Sequence, residues 1–94
     1  MTYELEFDPR ALKEWQKLGE TVKRQFKKRL AIVLSNPRIE SARLHDLPDC
    51  YKIKLNASGY RLVYQVRDEV ITVFVVAVGK REKSAVYRDA NQRL

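Results

Sequence analysis

The chain has 94 residues, enough for one domain spanning 1–94 and too few for two. It is 45% hydrophobic with a single cysteine, Cys50, so it is expected to build a core without an intramolecular disulfide, which excludes a disulfide-stapled scaffold. The formal net charge of +7 points to a polyanionic partner: nucleic acid, a ribonucleoprotein, an acidic protein or an anionic membrane surface.

Tyr3, Leu5 and Phe7 alternate with Glu4 and Glu6, the pattern of a short strand with one wet face. The start Met1-Thr2-Tyr3-Glu4-Leu5-Glu6 has neither the cationic beginning nor the apolar stretch of a signal peptide. No apolar run approaches the roughly 20 residues of a membrane span, so a cytoplasmic protein with no membrane partner is expected. Asp8-Pro9 reads as a helix start, with Asp8 as N-cap and Pro9 at the first helical position. Ala11, Leu12, Trp15 and Leu18 recur at helical spacing, and Gly19 suits the position just past the helix end.

A second helix is predicted from Glu20 to Ser35, where Asn36-Pro37 stops it. Its apolar stripe is Val22, Phe26, Leu30, Val33 and Leu34; Lys23, Arg24, Lys27 and Lys28 form a wet basic face. Residues 38–49 read as irregular, anchored by Leu44 and Leu47. The period then changes to two. Tyr51, Ile53 and Leu55 face one way and Lys52 and Lys54 the other. Asn56-Ala57-Ser58-Gly59 is a turn, and Tyr60, Leu62, Tyr64 and Val66 alternate with Arg61, Val63, Gln65 and Arg67. Asp68-Glu69 makes another turn. Val70–Val78, almost wholly apolar and β-branched, reads as a central strand covered on both faces and broken by Gly79. Ser84 to about Gln92 is a final short helix. The order β-α-α-β-β-β-α predicts an α+β fold: a helical hairpin packed on one face of a largely antiparallel four-stranded sheet. The place of the first strand in that sheet is not legible.

Strand register gives the charges a location. Joining Leu55 to Tyr60 through the Asn56–Gly59 turn sets Leu55 against Tyr60, Ile53 against Leu62 and Tyr51 against Tyr64, all on a buried face. A slip by one residue would bury lysines, so this register is strongly preferred. Lys54 then stands opposite Arg61 on the other face, with Lys52 two residues along. Like charges directly across a strand pair repel, and no acidic residue shares that face, so an anion is the expected occupant. A tight turn at Asp68-Glu69 would pair Val66 with Ile71, Leu62 with Val75 and Tyr60 with Ala77. The strand end, with Lys80 and Arg81, would emerge beside Lys54 and Arg61, and Tyr87 would fold back over the same patch. Each cation taken singly fits an ordinary solvated strand face, and Tyr87 alone an ordinary packing residue; their convergence points to a phosphate site.

Several chemistries are set aside. His45 is the only histidine, which excludes a two-histidine ribonuclease, and with Cys50 it cannot make a zinc site of the usual kind. Asp8, Glu14, Asp49, Asp68 and Glu82 are too scattered for a magnesium cluster, and there is no Gly-rich phosphate loop. No cofactor or metal is expected. Cys50 reads as an inert, partly buried thiol.

The stretches Leu47-Pro-Asp-Cys-Tyr-Lys-Ile-Lys-Leu55, Ser58-Gly-Tyr-Arg-Leu-Val-Tyr-Gln-Val66 and Val78-Gly-Lys-Arg-Glu-Lys-Ser-Ala-Val-Tyr87 strongly resemble the RelE family of toxins, from the RelE/ParE superfamily. Phe7-Asp8 and the Ala11–Leu18 helix share the resemblance, which covers nearly the whole chain. It implies a bacterial toxin of a type II toxin–antitoxin system: an endoribonuclease that cuts mRNA in the ribosomal A site, beside 16S rRNA. It implies a RelB-like antitoxin that wraps the toxin, and a toxin–antitoxin complex that represses its own operator DNA. Lys52, Lys54, Arg61, Arg81 and Tyr87 fall on the family's active-site positions and match the expected types. Arg88-Asp89-Ala90-Asn91 makes a more polar tail than the family pattern. Two alternatives remain at this level: a gyrase-inhibiting toxin of the same superfamily, and a non-catalytic nucleic-acid-binding co-repressor.

Overall fold

The computed structural model describes residues 2–80 and 85–94. Strand β1 (Glu4–Phe7) leads into helix α1 (Pro9–Gln16), then α2 (Glu20–Ser35), β2 (Cys50–Leu55), β3 (Tyr60–Arg67), β4 (Thr72–Lys80) and α3 (Ala85–Arg93). Asp8 caps α1 as expected, its carboxylate accepting from Arg10 N at 2.8 Å. Gly19 plays a different part from the one predicted. It is the N-cap of α2, in extended conformation (φ −69°, ψ 159°), rather than a left-handed residue closing α1. The helical hairpin therefore turns by stretching the chain between helices. In the segment read as irregular, Glu40–Ala42 forms a short 3-10 turn and Arg43 bridges to Tyr51.

The sheet order is β1-β4-β3-β2. β1 joins at one edge, parallel to β4, from Glu4↔Thr72 to Phe7↔Val75. The β2–β3 register is the one that side-chain faces demanded: Leu55↔Tyr60, Ile53↔Leu62, Tyr51↔Tyr64 and Lys54↔Arg61. The β3–β4 register differs from the expectation. The pairs are Val66↔Val73, Leu62↔Val78 and Tyr60↔Lys80. Two local features cause this. The connection is a 3-10 turn, Asp68–Val70, followed by Ile71 in left-handed conformation (φ 49°), so it takes up more chain than a two-residue turn. The register also shifts between Val63 and Tyr64, a bulge that lets Val76 and Ala77 both be buried. Gly79 consequently lies inside β4 instead of ending it.

Two cores result, one on each face of the sheet. The larger joins Ala11, Leu18, Phe26, Leu30 and Val33 of the helical hairpin to Tyr51, Ile53, Leu62, Tyr64, Val73 and Val75. Tyr64 is fully buried; its hydroxyl donates to Pro37 O at 2.9 Å and its ring stacks on Tyr51 at 5.6 Å. The smaller core seats α3 through Val86 and Ala90 on Val63, Val76 and Ala77, with Leu47 and Cys50 beside them. Among the described residues, no helix is long and apolar enough to cross a membrane.

Candidate active site

The sheet face turned away from the helical hairpin carries two rows of residues. One row is Lys54–Arg61–Gly79 and the next is Lys52–Val63–Ala77, running from β2 across β3 to β4. α3 covers only the β3–β4 part of this face, because its anchors Val86 and Ala90 sit on Val63, Val76 and Ala77. The lysines of edge strand β2 stay outside that cover: Lys54 is exposed and Lys52 half-buried.

Arg61 is the departure from the simple picture of an open basic face, for it is only 5% exposed. Its neighbour across β4 is Gly79, and a Cβ placed on Gly79 would lie 3.9 Å from the Cβ of Val86. The first turn of α3 thus closes over the strip beside Arg61. The guanidinium Nη1 donates to Tyr60 O at 3.2 Å. Among the described residues, no carboxylate pairs with Lys52, Lys54 or Arg61; the ion pairs found lie elsewhere. A buried guanidinium that meets no carboxylate among the described residues is well suited to a bound anion.

Tyr87 follows Val86 and is half-buried against the same small core. It lines an open cleft of about 510 Å³ with Leu44, His45, Asp46, Leu47, Arg88 and Asn91. Lys52 and Lys54 line a separate groove of about 420 Å³ toward α2, together with Arg29, Ser41 and Asn56. The lysine groove and the tyrosine cleft share no lining residue. Lys80 ends β4 opposite Tyr60, with its ammonium 5.6 Å from that ring. Arg81, the fifth expected site residue, lies outside the described residues.

Chemically, Arg61, Lys52 and Lys54 supply a fork-shaped cation and two ammonium groups that pair with no carboxylate among the described residues, while Tyr87 supplies a phenol in a separate cleft that Asp46 also lines. Guanidinium forks match phosphate oxygens, and ammonium groups act as point charges beside them. Cys50 contributes nothing here: it is fully buried, and burial pushes its thiol up to about 11.

Sequence reasoning missed Arg29, the α2 cation that borders the lysine groove, because the docking angle of α2 decides which of its cations approach β2. It also used His45 only for exclusion, since the position of an irregular loop has no periodic signal. Glu14 and Arg93, which meet across 79 residues, carried no signal either.

With this geometry established, comparison with known proteins is informative. The model of the family "ParE toxin of type II toxin-antitoxin system, parDE" matches residues 5–85. The mRNA interferase toxin RelE of Escherichia coli is 63% identical over 94 residues, covering 100% of this chain and 99% of the relative. The mRNA interferase RelE of Shigella flexneri matches to the same extent. Among solved structures, a double mutant of E. coli RelE in the free state superposes with a TM-score of 0.93 at 62% identity, over 100% of this chain and 99% of that one. The intact E. coli RelBE toxin–antitoxin complex matches with a TM-score of 0.84 at 64% identity, over 86% of this chain and 99% of that one. A sheet register that sets cations opposite one another and likeness along the entire chain agree: the chain belongs to the ParE/RelE family of type II toxin–antitoxin toxins.

Proposed function

We propose that this chain, acting as a single toxin domain in the bacterial cytoplasm, is a ribosome-dependent endoribonuclease that cuts mRNA in the A site and so inhibits translation. The observation that carries this reading is the 63% identity, end to end, with mRNA interferases. A RelB-like antitoxin is its partner, and the pair together binds operator DNA in autorepression.

The site residues support a cleavage that uses the substrate's own 2′-hydroxyl. A base removes its proton, and the oxygen attacks the adjacent phosphorus in line. The new O–P bond forms as the bond to the 5′-oxygen breaks, and an acid delivers a proton to that oxygen. The products are a 2′,3′-cyclic phosphate and a 5′-hydroxyl. Arg61 and Arg81 hold the phosphate oxygens, and Lys52 and Lys54 stabilise the charge that develops there. Tyr87 or Lys54 serves as base, and Arg81 is the candidate acid. Such a base and acid demand a well-oriented substrate, and the ribosome supplies that orientation.

Single-turnover cleavage of an A-site message tests the reading. Tyr87→Phe and Arg81→Ala are each expected to slow cleavage by about 10²-fold or more, while ribosome affinity changes little. Equal loss of rate and affinity would identify a gripping patch instead. The ParE description of the matching family favours one second reading, a gyrase-inhibiting toxin. A supercoiling assay beside primer extension on translated mRNA separates the two.

A further inference from the structure

β1 accompanies β4 only to Val75, where Phe7 pairs and Asp8 N donates to Val75 O at 2.8 Å. β4 then runs on to Lys80 with no further strand on that side among the described residues. Two side chains occupy the vacated edge. Val78 N donates to Glu14 Oε1 of α1 at 3.1 Å. Arg93, in the last turn of α3, donates from Nη1 to Val76 O and to Glu14 Oε1, both at 2.8 Å, and from Nη2 to Glu14 Oε2 at 3.1 Å. The Arg93 side chain is only 11% exposed and that of Glu14 27%.

This latch joins α1, the edge of β4 and the far end of α3. α3 has nine residues, a length that has little helical stability without tertiary contacts. Its fully buried contribution to the small core is only Val86 and Ala90, with Tyr87 half-buried beside them. Apolar packing of this kind is non-directional and resists lifting of the helix more than it fixes rotation and axial position. A two-pronged ion pair that also uses a backbone carbonyl fixes both. Tyr87 stands on the same helix, next to Val86.

We infer that Glu14 and Arg93 are positioning residues for RNA cleavage: their latch sets the seat of α3 and so fixes the position of Tyr87, which that helix carries. This rests on the assignment of Tyr87 made above. Neither latch residue touches the RNA. A displacement of about 1 Å in a reacting group is enough to cost about 10²-fold in rate.

The test is a double-mutant cycle in single-turnover cleavage on programmed ribosomes. Arg93→Ala is expected to lower the rate at saturating ribosome at least about 10-fold, with the half-saturating concentration changed less than about 2-fold. Amide exchange should accelerate in α3 while β2–β4 stay protected. Arg93→Lys should recover part of the rate, since one ammonium cannot reproduce both prongs. In a Tyr87→Phe background, Arg93→Ala should have little further effect, because the residue it positions is already disabled. If Arg93→Ala fails to fold, Glu14→Gln carries the same cycle, keeping an acceptor for Val78 N while removing the charge. Wild-type cleavage with a loosened α3, or losses that multiply in the double mutant, would overturn the latch alone. Wild-type cleavage by Tyr87→Phe would overturn the Tyr87 assignment and the latch with it.

Discussion

Arg38 shows how far a single residue outside the site can organise the fold. Its guanidinium donates to Asp68 at 2.7 and 3.2 Å, to Asp49 at 3.1 Å and to the Tyr51 hydroxyl at 3.2 Å. The Tyr3 hydroxyl completes the group by donating to Asp68 at 2.6 Å. The chain between α2 and β2 is thereby tied to the 3-10 turn before β4, at the sheet end remote from Lys54. Hydrogen bonds from Tyr3 and then Arg38 hold the Asp68 carboxyl below its ordinary value. A carboxyl lowered on folding contributes stability that is present above its unfolded value, near 3.9, and is lost as pH falls through the folded value. Asp68→Asn should therefore flatten the acid limb of the stability curve. Melting temperatures measured from pH 6 down to pH 2 should fall less steeply in the variant below about pH 4.

At the scale of elements, the β3–β4 connection stores strain. Ile71 is β-branched and sits at φ 49°, ψ 52°, a region that costs an ordinary residue about 1–2 kcal/mol. It is also 38% exposed, so little packing compensates. Ile71→Asn should stabilise the protein by about 1 kcal/mol, read as a rise in the denaturant midpoint with unchanged slope. Cleavage should be unaffected, because the turn lies at the opposite end of the sheet from the Lys54–Arg61 pair. The same turn explains why the second hairpin was illegible. Its sequence, Asp68-Glu69-Val70-Ile71, has no glycine or asparagine to announce a left-handed residue, and Val70-Ile71 imitates the start of a strand.

At the scale of the whole molecule, the net charge of +7 is unevenly used. Arg10, Arg38, Arg43 and Arg93 are paired with carboxylates, while Arg24, Lys27, Lys28 and Arg29 line the exposed side of α2 and Lys54 stands at the site. Ribosome affinity should therefore fall linearly on a log–log plot against salt. Lys54→Ala should lower the magnitude of that slope by about 0.7, the expectation for one single-strand phosphate contact. An unchanged slope would show that Lys54 contacts no phosphate in the ground-state complex.

The amino-acid sequence by itself determined both helices of the hairpin, the β2–β3 register and hence the Lys54–Arg61 pair. These depend on local periodicity and on the penalty for burying lysine, and both are written in neighbouring residues. The strand end and helix expected next in the chain extended that pair to Arg81 and Tyr87, and likeness to the RelE family gave the set its catalytic reading. Tertiary structure alone decided that β1 lies parallel to β4, that Arg61 is buried, and that Lys52 and Lys54 open on a different hollow from Tyr87. It alone brought Glu14 to Arg93. Those contacts form between segments far apart in the chain, where no period links one residue to the other, and they exist only once both cores have closed on the sheet. The cross-strand cation pair was thus legible from the start, whereas the contact that ties the far end of α3 to α1 was not.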